Sequence, residues 1–389
     1  MIETHDYLVP DYYSRFSCKM GACRSACCEG WPISLTMQDY FRLLGVDCSP
    51  ELRRRLDCAM HVVKHPTQEA YARITPRYDG NCPLRMDDGR CAVHCELGDG
   101  ALSYICRLYP RGPRAEGDYE CSCANSCEAA LELMFRQDEP ITFETQRLTF
   151  DLPKSAGRTV FFETVGREQD IRLYFIRKIQ DRSMSMPRRI MVLGFSLKAM
   201  EDALAAKDAH EVDLLINGKP LPNTLQESPI SQANLSFGLN AASNMLAILD
   251  EHSQSIRSYG EASLEYFGDG VQSLARYEQA KAHFESIFPK WDIWFEHMLV
   301  NHMFFERFPF QNRPESMYDE FIAICAVYAV LRFLGIGWMA DKCGEAAFVD
   351  VAAAAFRLID HTEFDRSASH ILKSIGCSSP ERLFDLICL

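Results

Sequence analysis

The cysteines of this 389-residue chain are concentrated in its first third. Thirteen of the 17 cysteines lie between residues 18 and 127, and the 262 residues after this segment contain four. Such crowding is typical of a region that binds metal or is crosslinked by disulfides. Disulfides form in oxidising compartments, and the opening MIETHDYLVPDYYSRF has neither the cationic nor the apolar part of a secretory signal peptide. We therefore expect a metal site rather than a disulfide framework.

The cysteine spacing leaves the metal open. Zinc sites usually pair two short Cys-x₂₋₄-Cys units, and Cys18-x₄-Cys23 with Cys91-x₃-Cys95 approaches that form. Iron–sulfur clusters are also held by cysteine thiolates and follow looser spacing. The vicinal pair Cys27-Cys28 is a poor clamp for one small ion, but its thiolates can serve two corners of a cluster or two different sites. Iron–sulfur and zinc are equally compatible with this pattern.

The motifs of the chain resemble a known family. Cys-x₄-Cys-x₃-Cys-Cys-x-Gly-Trp is followed by Cys-Pro-Leu with Asp-Gly-x-Cys-x-x-His, then Leu-Ser-x-x-Cys-Arg-x-Tyr-Pro-Arg, then Ser-Cys-Glu-x-Ala. Residues Phe295 to Phe310, FEHMLVNHMFFERFPF, add a second match, and His361 to Leu372, HTEFDRSASHIL, add a weaker third. In this order the motifs resemble the flagellin lysine N-methylase family over nearly the whole chain.

The resemblance implies a cytoplasmic enzyme that transfers a methyl group from S-adenosylmethionine to lysines of flagellin and contains a [4Fe–4S] cluster, with zinc as the alternative metal. Carried over residue by residue, the metal-binding thiols would be Cys18, Cys23, Cys27, Cys28, Cys82, Cys91, Cys106 and Cys127. Eight thiols exceed the four that one cluster needs. Either a second metal is bound or some thiols are structural, and the four ligands stay unidentified. The other thiols of the segment are extras of this sequence: Cys48, Cys58, Cys95, Cys121 and Cys123.

Composition and motifs exclude several other classes of protein. The net charge of −13 argues against a nucleic-acid partner. The most apolar stretch, residues 321–331, is interrupted by Arg332 and is too short to span a bilayer, so a buried core helix and no membrane insertion are expected. The chain has no glycine-rich dinucleotide motif. A radical S-adenosylmethionine site is also excluded, because Cys23-x₃-Cys27 is followed by Gly30 where the third cysteine would stand.

The pattern of apolar residues predicts a mainly α-helical protein. A cysteine-rich, loop-dominated metal-cluster domain (1–130) would pack on an all-helical domain (153–389), with residues 131–152 as a linker. Alternation at 140–152 predicts a short strand or an extended linker. Helices are predicted at 157–182, 187–206, 229–253, 272–306, 316–340, 344–361 and 366–376.

No catalytic or donor-binding residue can be assigned from the sequence. Tyr104, Tyr109 and Asp118 lie near the cysteine motifs but are expected to be structural. Arg107 and Arg111 suit either charge compensation at an anionic cluster or ordinary ion pairs. His94, beside Cys95, suits a metal ligand less well than a hydrogen-bonding or solvent-exposed residue, and His297 and His302 are expected to be packing or capping residues.

The resemblance therefore implies an iron–sulfur, S-adenosylmethionine-dependent protein-lysine methyltransferase, whereas the residues alone indicate an intracellular metal-cluster protein with a helical partner domain. Two alternatives stay open: a non-enzymatic zinc-binding protein-interaction module, and an iron–sulfur electron-transfer protein. The number of methyl groups, the lysines modified and the oligomeric state are not encoded in any pattern that we can interpret.

Overall fold

The first part of the protein mixes short strands with helices. The computed structural model describes residues 2–24, 27–115, 117–152, 162–164, 166–220, 229–250, 254–268, 270–311 and 315–389. Up to residue 152 its elements are β1 (Ile2–Pro10), β2 (Ile33–Leu35), α1 (Met37–Gly45), α2 (Pro50–Ala59), β3 (Met60–Val62), β4 (Ala72–Ile74), α3 (Ala92–Leu97), α4 (Tyr104–Leu108), α5 (Glu128–Phe135) and β5 (Phe143–Asp151).

The second part is helical throughout the described residues. Its elements are α6 (Glu168–Ile179), α7 (Met186–Ala205), α8 (Ala209–Ile216), α9 (Gln232–Asp250), α10 (Gln254–Phe267), α11 (Ser273–Ile287), α12 (Trp291–Phe305), α13 (Met317–Trp338), α14 (Glu345–Ile359), α15 (Phe364–Ser374) and α16 (Pro380–Ile387). The prediction of a mainly helical protein is confirmed.

Most predicted helices are present, and the differences have local causes. The stretch 272–306 is two helices, α11 and α12, because Pro289 lies between them and cannot continue a helix. Of the helices in the second part, α8, α10 and α16 were not predicted. The first part of the predicted helix 157–182 lies outside the described residues, and α6 begins at Glu168.

A two-stranded sheet joins the N-terminus to the segment after α5. β1 and β5 are antiparallel, with Ile2 opposite Asp151 and Pro10 opposite Phe143. Of the two predicted possibilities for 140–152, a short strand or an extended linker, the strand is present, and its partner is the N-terminal strand β1. The proposed division into domains with a linker at 131–152 stays a prediction.

Two hydrophobic cores lie on either side of the cysteine motifs. The smaller core packs α1 and α2 against the three-stranded sheet β2-β4-β3 and includes Leu35, Leu56 and Cys82. The larger core contains the helical part together with β1 and α5. The cysteine segment is thus shared between two cores.

Helix α13 crosses the larger core. Among the described residues it alone is long and apolar enough to cross a membrane, but 94% of its apolar window is buried inside the protein. This matches the predicted core helix. Its buried Arg332 is accommodated by stacking 4.1 Å from the Trp291 ring centroid and by a 2.8 Å ion pair with Glu285.

A buried hydrogen-bond network fastens the N-terminal part to α12. The hydroxyl of Tyr12 donates to Asn301 Oδ1 at 2.6 Å. Asn301 Nδ2 donates to the carbonyl of Cys123 and to Asn125 Oδ1, both at 2.8 Å. Because each amide atom of Asn301 has a partner, the network fixes the cysteine segment against the C-terminal half of α12.

Candidate functional site

Four of the family-matching thiols flank the smaller core: Cys28, Cys82, Cys91 and Cys106, here called the Cys28 set. The backbone N–H of Cys82 donates to the carbonyl of Cys28 at 2.8 Å, and Arg85 forms a β-bridge with Cys91. Cys91 immediately precedes α3 and Cys106 lies on α4. The thiols of Cys82, Cys91 and Cys106 are each close enough to Cys28 for its charge to act on them.

The other four, Cys18, Cys23, Cys27 and Cys127, form the Cys27 set on the side of the larger core. Cys127 immediately precedes α5 and has Cys23 and Cys18 as electrostatic neighbours. Cys27 adjoins both Cys106 and Cys127. The vicinal pair therefore stands at the junction, with one thiol belonging to each set.

Ion pairs and a close backbone contact hold the loop of the Cys27 set. Lys19 Nζ lies 2.5 Å from Glu128 and 2.8 Å from Glu132 on α5, and Arg24 reaches Asp350 on α14 at 2.9 Å. Gly21, whose φ is +97°, lies against the backbone of Gly89, and a Cβ at Gly21 would be 2.9 Å from the Gly89 carbonyl. Glycine is required there because both the φ value and the space exclude a side chain.

The thiols differ sharply in acidity. A hydrogen bond from Cys27, supported by the charge of Arg85, lowers the pKa of Cys28 to about 7 although burial opposes it. Burial raises the pKa of Cys82 and Cys106 to about 12. In the Cys27 set, burial and the nearby Glu128 raise the pKa of Cys23 to about 11. The Cys28 set thus contains the most acidic thiol and a neighbouring cation.

The side chains of the two sets are of the right chemical type to bind a metal, but in this structure they do not lie close enough together to do so. Cysteine sulfur suits an iron–sulfur cluster or zinc. Among the described residues, however, no three His, Cys, Asp or Glu side chains stand close enough together to hold a metal ion. We therefore assign no chemical step to a metal.

The extra cysteines and the other sequence candidates lie outside the two sets. Cys121 and Cys123 are buried in the larger core, and Cys95 is exposed. Arg107 pairs with Asp151 at 3.2 Å, and Arg111 stacks 5.0 Å from the Phe16 centroid.

Two more of the sequence candidates have ordinary structural partners. Asp118 lies 3.5 Å from Arg307. The ring of His297 bonds to the carbonyls of Met134 and Glu139, as expected for a packing residue.

An aromatic cleft adjoins the vicinal cysteines and is built from both parts of the chain. Its members are Trp31, Tyr109, Phe305 and His361. The ring centroid of His361 lies 4.8 Å from Trp31 and 6.2 Å from both Tyr109 and Phe305. Trp31 Nε1 also donates to the carbonyl of Cys27 at 2.8 Å. The imidazole is thus surrounded by three aromatic rings next to the junction of the two thiol sets.

The cleft is open to solvent although protein surrounds it. His361 is exposed, while Trp31, Tyr109 and Phe305 are half-buried. Burial nevertheless lowers the pKa of His361 and raises that of Tyr109 well above 10. At neutral pH the imidazole is therefore uncharged.

A hydroxyl relay orients His361. Its Nε2 lies 2.9 Å from Ser126 Oγ, and that oxygen is 3.1 Å from the hydroxyl of Tyr109. Ser126 is buried just before Cys127, and Tyr109 follows α4. The imidazole of the helical part is therefore positioned by two residues of the cysteine motifs.

A buried charged cluster lies behind the cleft. His302 Nδ1 is 2.8 Å from Asp360 and its Nε2 is 3.7 Å from Asp365. Burial alone would lower the pKa of His302, but the two carboxylates raise it well above 6.5, so this histidine is charged. It is a buried ion pair rather than the packing or capping residue that was expected. Burial also raises the pKa of the half-buried Glu306 to about 8.

The raised pKa of Glu306 predicts a pH-dependent effect on stability. The unfolded carboxyl ionises near pH 4.5, but the folded one ionises near pH 8, so this group lowers stability as pH rises between those values. Glu306→Gln cannot ionise. We expect the unfolding free energy of Glu306→Gln to rise relative to that of wild type from pH 5 to pH 8.5. Between the two pKa values the slope of this difference is about 1.4 kcal/mol per pH unit.

Denaturant unfolding at several pH values measures this difference. His302 and Arg114 oppose the shift, and Asp360 and Asp365 support it. The exposed Glu261→Gln on α10 is the control and should follow wild type. A constant difference between Glu306→Gln and wild type across the range would contradict the raised pKa.

A separate cavity lies elsewhere in the described residues. It has a volume of about 630 Å³ and is lined by Trp291, Tyr328 and Arg332 among others. Trp291 begins α12 and Phe305 ends it, so the cavity and the cleft are separated by about 21 Å at 1.5 Å per residue. The cavity is therefore not part of the cleft.

Sequence reasoning missed most of the cleft residues as functional groups. Tyr109 was considered and judged structural, whereas Trp31, Ser126 and His361 were not singled out. All five residues lie within the motifs that carried the resemblance: Trp31, Tyr109, Ser126, Phe305 and His361. The non-cysteine positions of those motifs were the available signal.

Comparison with known proteins places the chain in a family. The pattern described as FliB lysine N-methylase C-terminal domain matches residues 172–386, more than half of the chain. A Lysine-N-methylase of Salmonella typhimurium is 32% identical over 124 residues, covering 31% of this chain and 29% of that protein; one of Salmonella choleraesuis gives the same values. The Flagellar biosynthetic protein FliU of Salmonella muenchen is 30% identical over 121 residues, covering 31% of this chain and 69% of that protein.

The aligned stretch spans under a third of the two methylases. No solved structure matches significantly. Because the C-terminal pattern covers more than half of the chain, from within α6 into α16, the chain belongs to the FliB lysine N-methylase family.

Proposed function

We propose that this protein transfers a methyl group from S-adenosylmethionine to lysine side chains of flagellin in the cytoplasm. Family membership and the names of the relatives support lysine as the acceptor and the flagellum as the context. The observation that carries the proposal is the aromatic cleft, where an accessible, uncharged imidazole lies among three rings at the contact of the two parts.

The chemistry needs no radical. A neutral lysine amine attacks the sulfonium methyl carbon, the new C–N bond forms as the S–CH₃ bond breaks, and S-adenosylhomocysteine leaves. The ammonium must first lose its proton, since its pKa in water is about 10.4. Aromatic rings stabilise cations such as an ammonium or a sulfonium through their π faces, so the cleft suits both reactants.

We further propose a [4Fe–4S] cluster on the Cys28 set, with zinc as the alternative metal. Four thiols surround one small core there, and Arg85 offers charge compensation for an anionic cluster. The Cys27 set has Glu128 as a neighbour instead. When bound, the metal would stabilise a turn-rich segment that has little core of its own.

The test is methyl transfer by the anaerobically purified chain. Flagellin and methyl-labelled S-adenosylmethionine are added, and modified residues are located by mass spectrometry. We expect label on lysine side chains, and none when the flagellin lysines have been acetylated beforehand. A metal-loaded protein that leaves flagellin unlabelled would reject the proposal in favour of an interaction module or an electron-transfer protein.

A further inference from the structure

A lysine methyltransferase must neutralise its substrate before the transfer. At pH 7 fewer than about one lysine in a thousand carries a free amine, because its pKa is about 10.4. A positioned base that accepts the proton raises the rate by about 10²- to 10⁴-fold. The cleft residues can therefore be compared as proton acceptors.

We propose that His361 is the general base that takes the proton from the lysine ammonium, positioned by Ser126 and Tyr109. This inference rests on the proposed function and deepens it. His361 is exposed in the cleft, and its Nε2 is held 2.9 Å from Ser126 Oγ. With Nε2–H donating to Ser126, the lone pair of Nδ1 is free, and Nδ1 makes no hydrogen bond with the described residues.

The other groups of the cleft are less suited to this role. Glu306, whose pKa is raised to about 8, is already protonated at neutral pH. Asp360 is occupied by His302 and by the backbone N–H of Asn125 at 3.0 Å. The phenol of Tyr109 is protonated too, since burial raises its pKa.

The surroundings of His361 also stabilise the charge that it acquires. In the proton transfer one N–H bond of the ammonium breaks and an Nδ1–H bond forms, which leaves a neutral amine and an imidazolium. The centroids of the three aromatic rings lie 4.8–6.2 Å from the centroid of this imidazole, and Asp360 is its sequence neighbour. The charged groups that act on the ring are Asp360 and Arg357 at the end of α14, and the phenol ring of Tyr109 lies 6.2 Å from it across the cleft. Because the ring is exposed, it returns the proton to solvent.

The first test compares His361→Asn with His370→Asn, an exposed histidine on α15 that serves as the matched control. We expect kcat of His361→Asn at pH 7 to fall by about 10²- to 10⁴-fold, with partial rescue by added imidazole. The activity of this variant should rise steeply with pH towards the pKa of free lysine. Wild type should instead level off above a pKa below 6.5. A wild-type rate and pH profile in His361→Asn would overturn the proposal.

The positioning role is tested by Ser126→Ala. It should lower kcat more than KM while leaving the pH profile with a plateau, since the base remains. A lower stability and a raised KM, with kcat unchanged, would show that Ser126 is structural.

A binding measurement separates this inference from the proposed function. Histidine resonances are followed by NMR while Nα-acetyl-lysine methylamide is added to wild type and to Trp31→Ala. We expect the His361 resonance to shift in wild type and to shift less in Trp31→Ala. If wild type transfers no methyl but shows this shift, the proposed function fails and amine binding at His361 stands. If methyl transfer occurs with an unshifted His361, the inference is overturned.

Discussion

Glu120→Ala is expected to lower the free energy of unfolding by about 3–5 kcal/mol, the usual cost of removing one partner of a buried ion pair. Glu120 is 1% exposed and bridges the two parts of the chain. One of its oxygens pairs with Arg172 of α6 and the other lies 3.0 Å from Arg114. Both guanidinium groups also reach carbonyls at the end of α12. Without the carboxylate, the buried cation of Arg172 and the half-buried cation of Arg114 would lose their shared counter-ion.

Urea unfolding of the two variants Glu120→Ala and Glu51→Ala measures this effect. Glu51 pairs with Arg54 and Arg55 on the exposed surface of α2, so its removal should leave the midpoint unchanged. Burial raises the pKa of Glu120, but Arg172 and Arg114 outweigh it and lower the pKa below 4.5. The stabilisation is therefore present above the unfolded pKa and is lost as pH falls through the folded one. A Glu120→Ala midpoint equal to that of wild type would contradict the bridge.

Cys28→Ser is expected to remove the bound metal almost completely. If the Cys28 set holds a four-iron cluster, each thiolate is one of four ligands, and serine is a poor replacement for the most acidic of them. Iron and sulfide should fall from about four per chain to near zero. The measurement is elemental analysis with a visible spectrum on anaerobically purified protein.

The matched control is Cys95→Ser, four residues after Cys91 and exposed. It should keep the metal content of wild type. Cys27→Ser distinguishes the two thiol sets, since its loss should leave the cluster of the Cys28 set in place. Loss of metal in Cys27→Ser with retention in Cys28→Ser would reverse the assignment.

The local features of the fold follow from the sequence. Helix α13 could be predicted as a buried core helix because Arg332 interrupts its apolar run. Strand β5 was visible as an alternation of apolar and polar residues. The break at Pro289 was visible too, although the stretch around it was predicted as one helix. Each of these signals lies within a few residues of the feature that it predicts.

The cleft has no such local signal. Trp31, Tyr109 and Ser126 lie in different cysteine motifs, and Phe305 and His361 come from the ends of α12 and α14. Their proximity depends on long-range packing, such as the hydrogen bonds of Asn301 and the β1–β5 pairing. The displaced pKa values of Glu306 and His302 likewise arise from burial and from neighbours more than 50 residues away.

The metal content of the wild-type chain tests the central claim most directly, namely that the thiols beside the cleft build an iron–sulfur site. Iron, acid-labile sulfide and zinc are determined on anaerobically purified protein together with a visible spectrum. The account predicts about four irons and four sulfides per chain with broad charge-transfer absorption. Colourless protein that contains zinc and no sulfide would contradict it.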